Sequence, residues 1–348
     1  MSMTGMLQRS WHHDYCAPSF YMITIVTEPR RQCLSQVTED AEVVLSPIGE
    51  LVKEAWNRTN EVYPNVKACE FVVMPDHFHG ILRVQEQLKR PMGHLIKAFK
   101  RVSRQECVSR GLLPPLNAKP SAGASAAAPA SSVSVAAPAT DSSASSAPAT
   151  DSSASSAPAT ESPSLWQEGF QDSILLRKGQ LQAMVNYIAD NPRRLAAKRA
   201  NPELFTVVSE EQVCPGLNCS IIGNRFLLNH PLKRQIQISR GISSTDFADL
   251  REELLYVAEH GTVLVSPCIS PGEKEIARAV MEMGKPLIVI VENGFTPFYK
   301  PPGRYFDACA DGLLLMIAPF PHHRQKQTIT RDQCLIMNQY AASIVAMG

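Results

Sequence analysis

Two histidines one residue apart, in Met74-Pro75-Asp76-His77-Phe78-His79-Gly80-Ile81-Leu82, are the side chains of this sequence best placed to do chemistry. On a strand, positions i and i+2 point to one face, so His77 and His79 can turn two imidazoles toward one metal ion while Phe78 points into a core. The spacing alone leaves a second reading open, in which both histidines are simply satisfied within the fold. A second group stands in Tyr187-Ile188-Ala189-Asp190-Asn191-Pro192. Tyr187 and Asn191 are four apart and share a helical face, with Leu181, Met184, Val185 and Ile188 on the buried face, so a phenol and a carboxamide are presented together. Asn191 also suits a helix C-cap, just before a proline that helps to end the helix.

Cationic side chains gather near both groups. Lys97, Lys100, Arg101 and Arg104 fall at i, i+3, i+4 and i+7, opposite an apolar face of Leu95, Phe99 and Val102. Arg193, Arg194, Lys198 and Arg199 follow the tyrosine directly. Such stripes are usually solvated faces, but two of them beside candidate phosphate chemistry suit contacts to a nucleic-acid backbone, which position DNA without reading its sequence.

The elements that must carry these residues are legible from periodicity. Strands are expected at 21–26, 67–74 and 77–84, helices at 48–60, 93–110 and 180–191, and a short extended piece at 174–177. That is an α+β domain with a mostly antiparallel sheet. Residues 114–163 are almost entirely Ala, Ser, Pro and Thr, with a ten-residue repeat that puts Thr140, Thr150 and Thr160 in register. Such a segment builds no core and is expected to be a disordered, solvated linker. Because the histidines and the tyrosine lie on opposite sides of it, it reads as an insertion within one domain, 1–206, rather than as a boundary. A smaller second domain is expected at 214–348. Continuous apolar runs at 220–222, 263–265, 287–291 and 313–317 alternate with helical patterns at 246–259 and 273–284, which suggests an open parallel α/β sheet. In it, Ser270, Gly272, Glu273 and Lys274 open a helix whose free N–H groups could bind an anion. With no GxGxxG and no Walker lysine motif, a scaffold or partner-binding role stays equally open.

Composition sets outer limits. Of 348 residues, 44% are hydrophobic and 19% charged, and 34 Lys+Arg against 33 Asp+Glu leave a net charge of +1, so any nucleic-acid surface must be local. Nine cysteines without a CxxC pair fit reduced thiols. No apolar run approaches the roughly 18 residues of a membrane span, and the first residues lack the apolar run of a secretory signal. A soluble, cytoplasmic protein is expected.

Taken in chain order, His13-Asp14-Tyr15, YMITIVT, LSPIGELVKEAW, PNVKACEFVVMPDHFHGIL, MGHLIKAFK and LWQEGFQDSILLRKGQLQAMVNYIADNPRR resemble the REP-associated tyrosine transposases of the single-tyrosine HUH superfamily. MPDHFHG and YIADNP are the specific parts. The resemblance implies a ferredoxin-like domain in which His77, His79 and Asn191 bind a divalent metal, Mg or Mn, and Tyr187 attacks DNA. It implies nicking and joining of single-stranded, hairpin-forming DNA through a covalent phosphotyrosine, by a monomer or homodimer. Ser173 departs from the pattern, since many members have histidine after the acidic residue matched by Asp172. The alternative function is a domesticated DNA-binding or regulatory protein that keeps the fold without catalysis. More weakly, the second domain resembles the nucleotide-binding, Rossmann-like domains of DNA-processing and lysine-decarboxylase-like proteins.

Overall fold

The computed structural model describes residues 13–115, 164–239, 241–325 and 327–347; the linker expected at 114–163 lies, apart from its first two residues, outside them. The chain divides into two compact units, Met1–Gln36 with Val43–Ala189, and Val37–Glu42 with Asp190–Gly348. The division falls inside a helix, before the expected boundary at 206–214.

The first unit runs β1 (Ser19–Val26), β2 (Ser35–Val37), β3 (Val43–Leu45), α1 (Pro47–Asn57), α2 (Thr59–Val62), β4 (Val66–Val73), β5 (His77–Val84), α3 (Gly93–Ser109), β6 (Gln171–Ile174) and the start of α4 (Gln180–Ala200), whose residues from Asp190 onward belong to the second unit. Its main sheet has the order β4-β5-β1-β6 with every neighbour antiparallel. Alternation along the strands splits the apolar residues between two faces. Tyr21, Ile23, Ile25, Phe78 and Leu82 join Trp56 of α1 and Phe99 of α3 in the larger core. Met22 and Ile81, on the other face, pack with Ile188, Met184 and Val185 of α4. Ser46 starts α1 by accepting from Gly49 N, with Pro47 in the first turn where its missing N–H costs nothing. Gly80 is required by close approach: a Cβ there would lie 2.6 Å from Trp56 Cζ2 and 2.8 Å from Phe78 Cε1.

Helix α4 does not end near Asn191 as expected. It continues through Pro192 to Ala200. The missing proline N–H removes one helical bond, but residues on either side are held, Leu181 to Ile188 by the sheet face and Arg193 by Asp190 and Asp307.

The second unit contains β7 (Val208–Cys214), β8 (Leu217–Gly223), β9 (Lys233–Gln235), α5 (Ser244–Glu259), β10 (Val263–Ser266), α6 (Pro271–Glu282), β11 (Leu287–Ile290), α7 (Arg304–Ala310), β12 (Leu314–Ala318) and α8 (Arg331–Ala346). Its sheet has the order β7-β8-β12-β11-β10-β9. β9 to β12 are parallel, whereas β8 is antiparallel to β12 and to β7. The sheet is therefore mixed rather than parallel throughout. The run at 220–222 lies in a hairpin whose tight turn holds Gly216 at φ +80, a connection that only antiparallel strands can share. The four parallel strands stand in chain order, without the reversal that makes a ligand crevice in doubly wound sheets. Leu264, Leu287, Val289, Leu314 and Met316 pack with α5, α6 and α7 residues such as Leu254, Ile276 and Phe306. On the opposite face Val263, Val265, Ile288, Leu315 and Ile317 meet Met337, Ala341 and Ile344 of α8.

Candidate active site

The β1–β5 register opposes Val26 to His77 and Thr24 to His79. Opposed residues share a face, so both histidines stand on the sheet face covered by α4. Their rings meet edge to face at 4.7 Å between centroids. The His79 ring lies 5.6 Å from the Tyr187 ring. The structure thus brings His77, His79 and Tyr187 together within the first unit. Tyr187 is 37% exposed and so accessible to a large substrate. His79 is only 6% exposed, next to the smaller apolar cluster beneath α4.

Each imidazole is oriented by a second residue. His77 Nδ1 is 2.6 Å from Asp76 Oδ1, and His79 Nδ1 is 2.9 Å from Thr24 Oγ1. Arg30 Nη1 donates to the other Asp76 oxygen at 3.1 Å. Burial pushes the Asp76 carboxyl up, but the hydrogen bond and charge of His77, together with Arg30, hold it down at about 2. An imidazole whose Nδ1 is fixed in this way presents Nε2 to a ligand, the arrangement common among metal-binding histidines. Two such imidazoles on one face are the donor type that a divalent ion accepts. Among the described residues no three His, Cys, Asp or Glu side chains form a metal-binding group. Asn191 lies one turn beyond Tyr187 on α4, as the spacing anticipated. Ser173 opposes Met22 across β1 and β6 and so stands on the histidine face, exposed. Thr24 and Arg30 escaped the sequence reading because only the strand register and the folded 28–33 turn bring them in; Asp76 sat in the motif itself, adjacent to His77.

Four expected DNA contacts have other roles. Lys100 Nζ donates to the carbonyls of Gln167 and Gly169, and burial lowers its pKa. Arg104 donates to Pro114 O at 2.9 Å. Arg193 bridges Asp190 and Asp307. Arg194 donates to Pro301 O and stacks over Phe306 at 3.8 Å from the ring centroid. All four make contacts within the chain; Lys97 and Arg101, like Arg193, are exposed.

The helix start that could bind an anion is taken up by the chain itself. Glu273, 3% exposed, accepts from Ile238 N, Ile269 N and Ser270 N, while Ser270 Oγ accepts from Glu273 N. A carboxylate therefore already occupies the start of α6. A Cβ on Gly272 would meet Phe247 Cε2 at 2.8 Å, so this glycine serves helix packing. Lys274 is exposed and lines a separate cavity of about 620 Å³ beside Cys268 and Tyr305.

No family model matches the chain. An uncharacterized protein of Haemophilus influenzae is 36% identical over 78 residues, which cover 22% of this chain and 43% of that relative. The chain thus spans less than half the length of the curated relative it matches. Among solved structures, a REP-associated tyrosine transposase bound to a REP hairpin aligns with 54% of this chain and 74% of its own, at 13% identity and a TM-score of 0.32. A candidate transposase from Deinococcus radiodurans R1 aligns with 53% and 97%, at 14% identity and a TM-score of 0.27. These are distant likenesses. Among the described residues no helix is long and apolar enough to cross a membrane.

Proposed function

We propose that the protein is a metal-dependent, HUH-type tyrosine transposase that nicks and joins single-stranded, hairpin-forming DNA through a covalent phosphotyrosine. The observation that carries this reading is the juxtaposition of His77, His79 and Tyr187, with the nucleophile's ring against one of two oriented imidazoles. The βαββαβ order of β1, α1, β4, β5, α3 and β6 supports a ferredoxin-like domain beneath it. His77 and His79 would hold the ion, with Asn191 as the proposed third donor. A divalent cation there supplies positive charge to non-bridging phosphate oxygens during in-line displacement. Tyr187 Oη forms a bond to phosphorus, the bond from phosphorus to the leaving sugar oxygen breaks, and one proton passes from the phenol to that oxygen. Joining is the reverse, with another hydroxyl as the incoming group. Asp76 and Thr24 hold the imidazoles in place.

The test is incubation of labelled hairpin oligonucleotides with Mn²⁺ or Mg²⁺, followed by denaturing electrophoresis and mass spectrometry of the peptide around Tyr187. A protein–DNA adduct at Tyr187 is expected from the natural chain, and none from Tyr187→Phe, which should bind the same DNA within about twofold. An adduct that persists in Tyr187→Phe moves the nucleophile elsewhere. DNA binding without any adduct from the natural chain favours a binding protein that has lost catalysis.

A further inference from the structure

A cavity of about 780 Å³ lies at the far end of β5 from His77, among the start of α3, the 85–92 connection and the turn before β4. Its floor is apolar, formed in part by Tyr63, Leu88, Leu95 and Ala98. Its rim is cationic: Lys89 and Arg90 come from the connection, and Lys97 and Arg101 from the exposed side of α3, where His94 shares their face. None of these four cations pairs with a carboxylate among the described residues, in contrast to Arg58 and Arg110 nearby. Helix α3 also starts with neither a side-chain cap nor an acidic residue in its first turn, so its amide end adds positive potential beside Arg90. The carboxylate closest in the hydrogen-bond network is Asp14, which accepts from Cys16 N and from Gln87 on the cavity wall.

Four like charges within two short segments repel one another, and folding alone gives no reason to gather them. A small anion would need one built spot. A wide apolar floor ringed by cations instead matches a polymer that alternates phosphates with flat, weakly polar rings. We propose that this cavity binds unpaired nucleotides of single-stranded DNA, with bases on the floor and phosphates on the rim. The inference deepens the reading above and rests on it for the identity of the polymer. His77 and Val84 are seven residues apart on β5, roughly 23 Å at about 3.3 Å per residue. The cavity would therefore take nucleotides other than those that reach Tyr187, and act as a second anchor on one DNA molecule.

The test uses the full chain with Tyr187→Phe and a chelator, so that neither an adduct nor a metal contributes. Anisotropy of labelled dT12 is followed across a salt series. Lys97→Glu with Arg101→Glu, and separately Lys89→Glu with Arg90→Glu, should each weaken binding at least tenfold. Each should also flatten the slope of log K against log salt by about 1.4, at roughly 0.7 per lost phosphate contact on a single strand. Lys53→Glu with Lys67→Glu, the same charge change elsewhere on this unit, should have a much smaller effect. Ala98→Trp, which fills the floor, should weaken dT12 but leave a duplex of equal length unaffected. Unchanged affinity and slope in both rim variants overturns the proposal, as does an equal loss in the Lys53/Lys67 control or an equal loss for duplex in Ala98→Trp. Melting curves confirm that each variant is folded. A natural chain that binds dT12 through the rim yet never forms an adduct would sink the catalytic reading and leave this one standing.

Discussion

At the scale of single residues, what distinguishes the histidine pair from two imidazoles that merely share a face is the oxygen behind each ring. Thr24→Val keeps the shape of the side chain but removes the partner of His79 Nδ1. It should leave the melting temperature nearly unchanged while weakening Mn²⁺ binding about 10- to 100-fold, as loss of an orienting partner commonly does. Calorimetric titration of Mn²⁺ checks this, and equal affinity in the two proteins would show that the ring needs no such support. Lys100 gives the opposite case. Because its ammonium holds two backbone carbonyls, Lys100→Ala should lower stability by about 1–3 kcal/mol and leave the salt slope of DNA binding unaltered. A stable variant with a reduced slope would return Lys100 to the DNA surface. Periodicity correctly placed Lys97, Lys100, Arg101 and Arg104 on a polar face. It could not show that Lys100 caps carbonyls, since those of Gln167 and Gly169 arrive from more than sixty residues along the chain.

At the scale of elements, the long periodic segments were legible and the short polar ones were not. Strand β5 occupies the expected 77–84 because two turn-prone residues, Pro75 and Asp76, bound an apolar alternation. Strands β7 and β9 carry the sequences VSEEQVC and KRQ, whose charges suit sheet edges and hide the strand pattern. The start of α6 was visible as a helix N-terminus, but the sequence did not reveal that Glu273 folds back onto it. That closure makes a prediction. Glu273→Ala leaves three backbone N–H groups without their acceptor and should cost about 2–4 kcal/mol, read as a lower denaturant midpoint. Gly272→Val should destabilise by about 1–3 kcal/mol through overpacking against Phe247. If either variant instead kept full stability, the helix start would be open to a ligand after all.

At the scale of the whole molecule, the Ala/Ser/Pro stretch reads as an insertion because the histidines and the tyrosine that flank it in sequence stand together in the fold. Trp166 Nε1 donates to Ser103 Oγ, and the Gln167 and Gly169 carbonyls are held by Lys100, so residues just after the insertion dock directly on α3. Deleting 121–160 should therefore preserve the thermal melt of the first unit and the yield of covalent adduct within about twofold, since loop length enters closure entropy only logarithmically. An unfolded deletion variant would mean that the segment packs. The strand order of the second unit has a kinetic counterpart. β9, β10 and β11 each pair with the next parallel strand made, so this part of the sheet can accrete in the order of synthesis. β8 is made before all of them yet pairs with the last, Ser220 opposite Ala318. Until β12 emerges, the free edge of β8 has no strand to join, and a nascent chain stalled before residue 314 would expose Ile221 and Ile222 to chaperones and to other copies of itself.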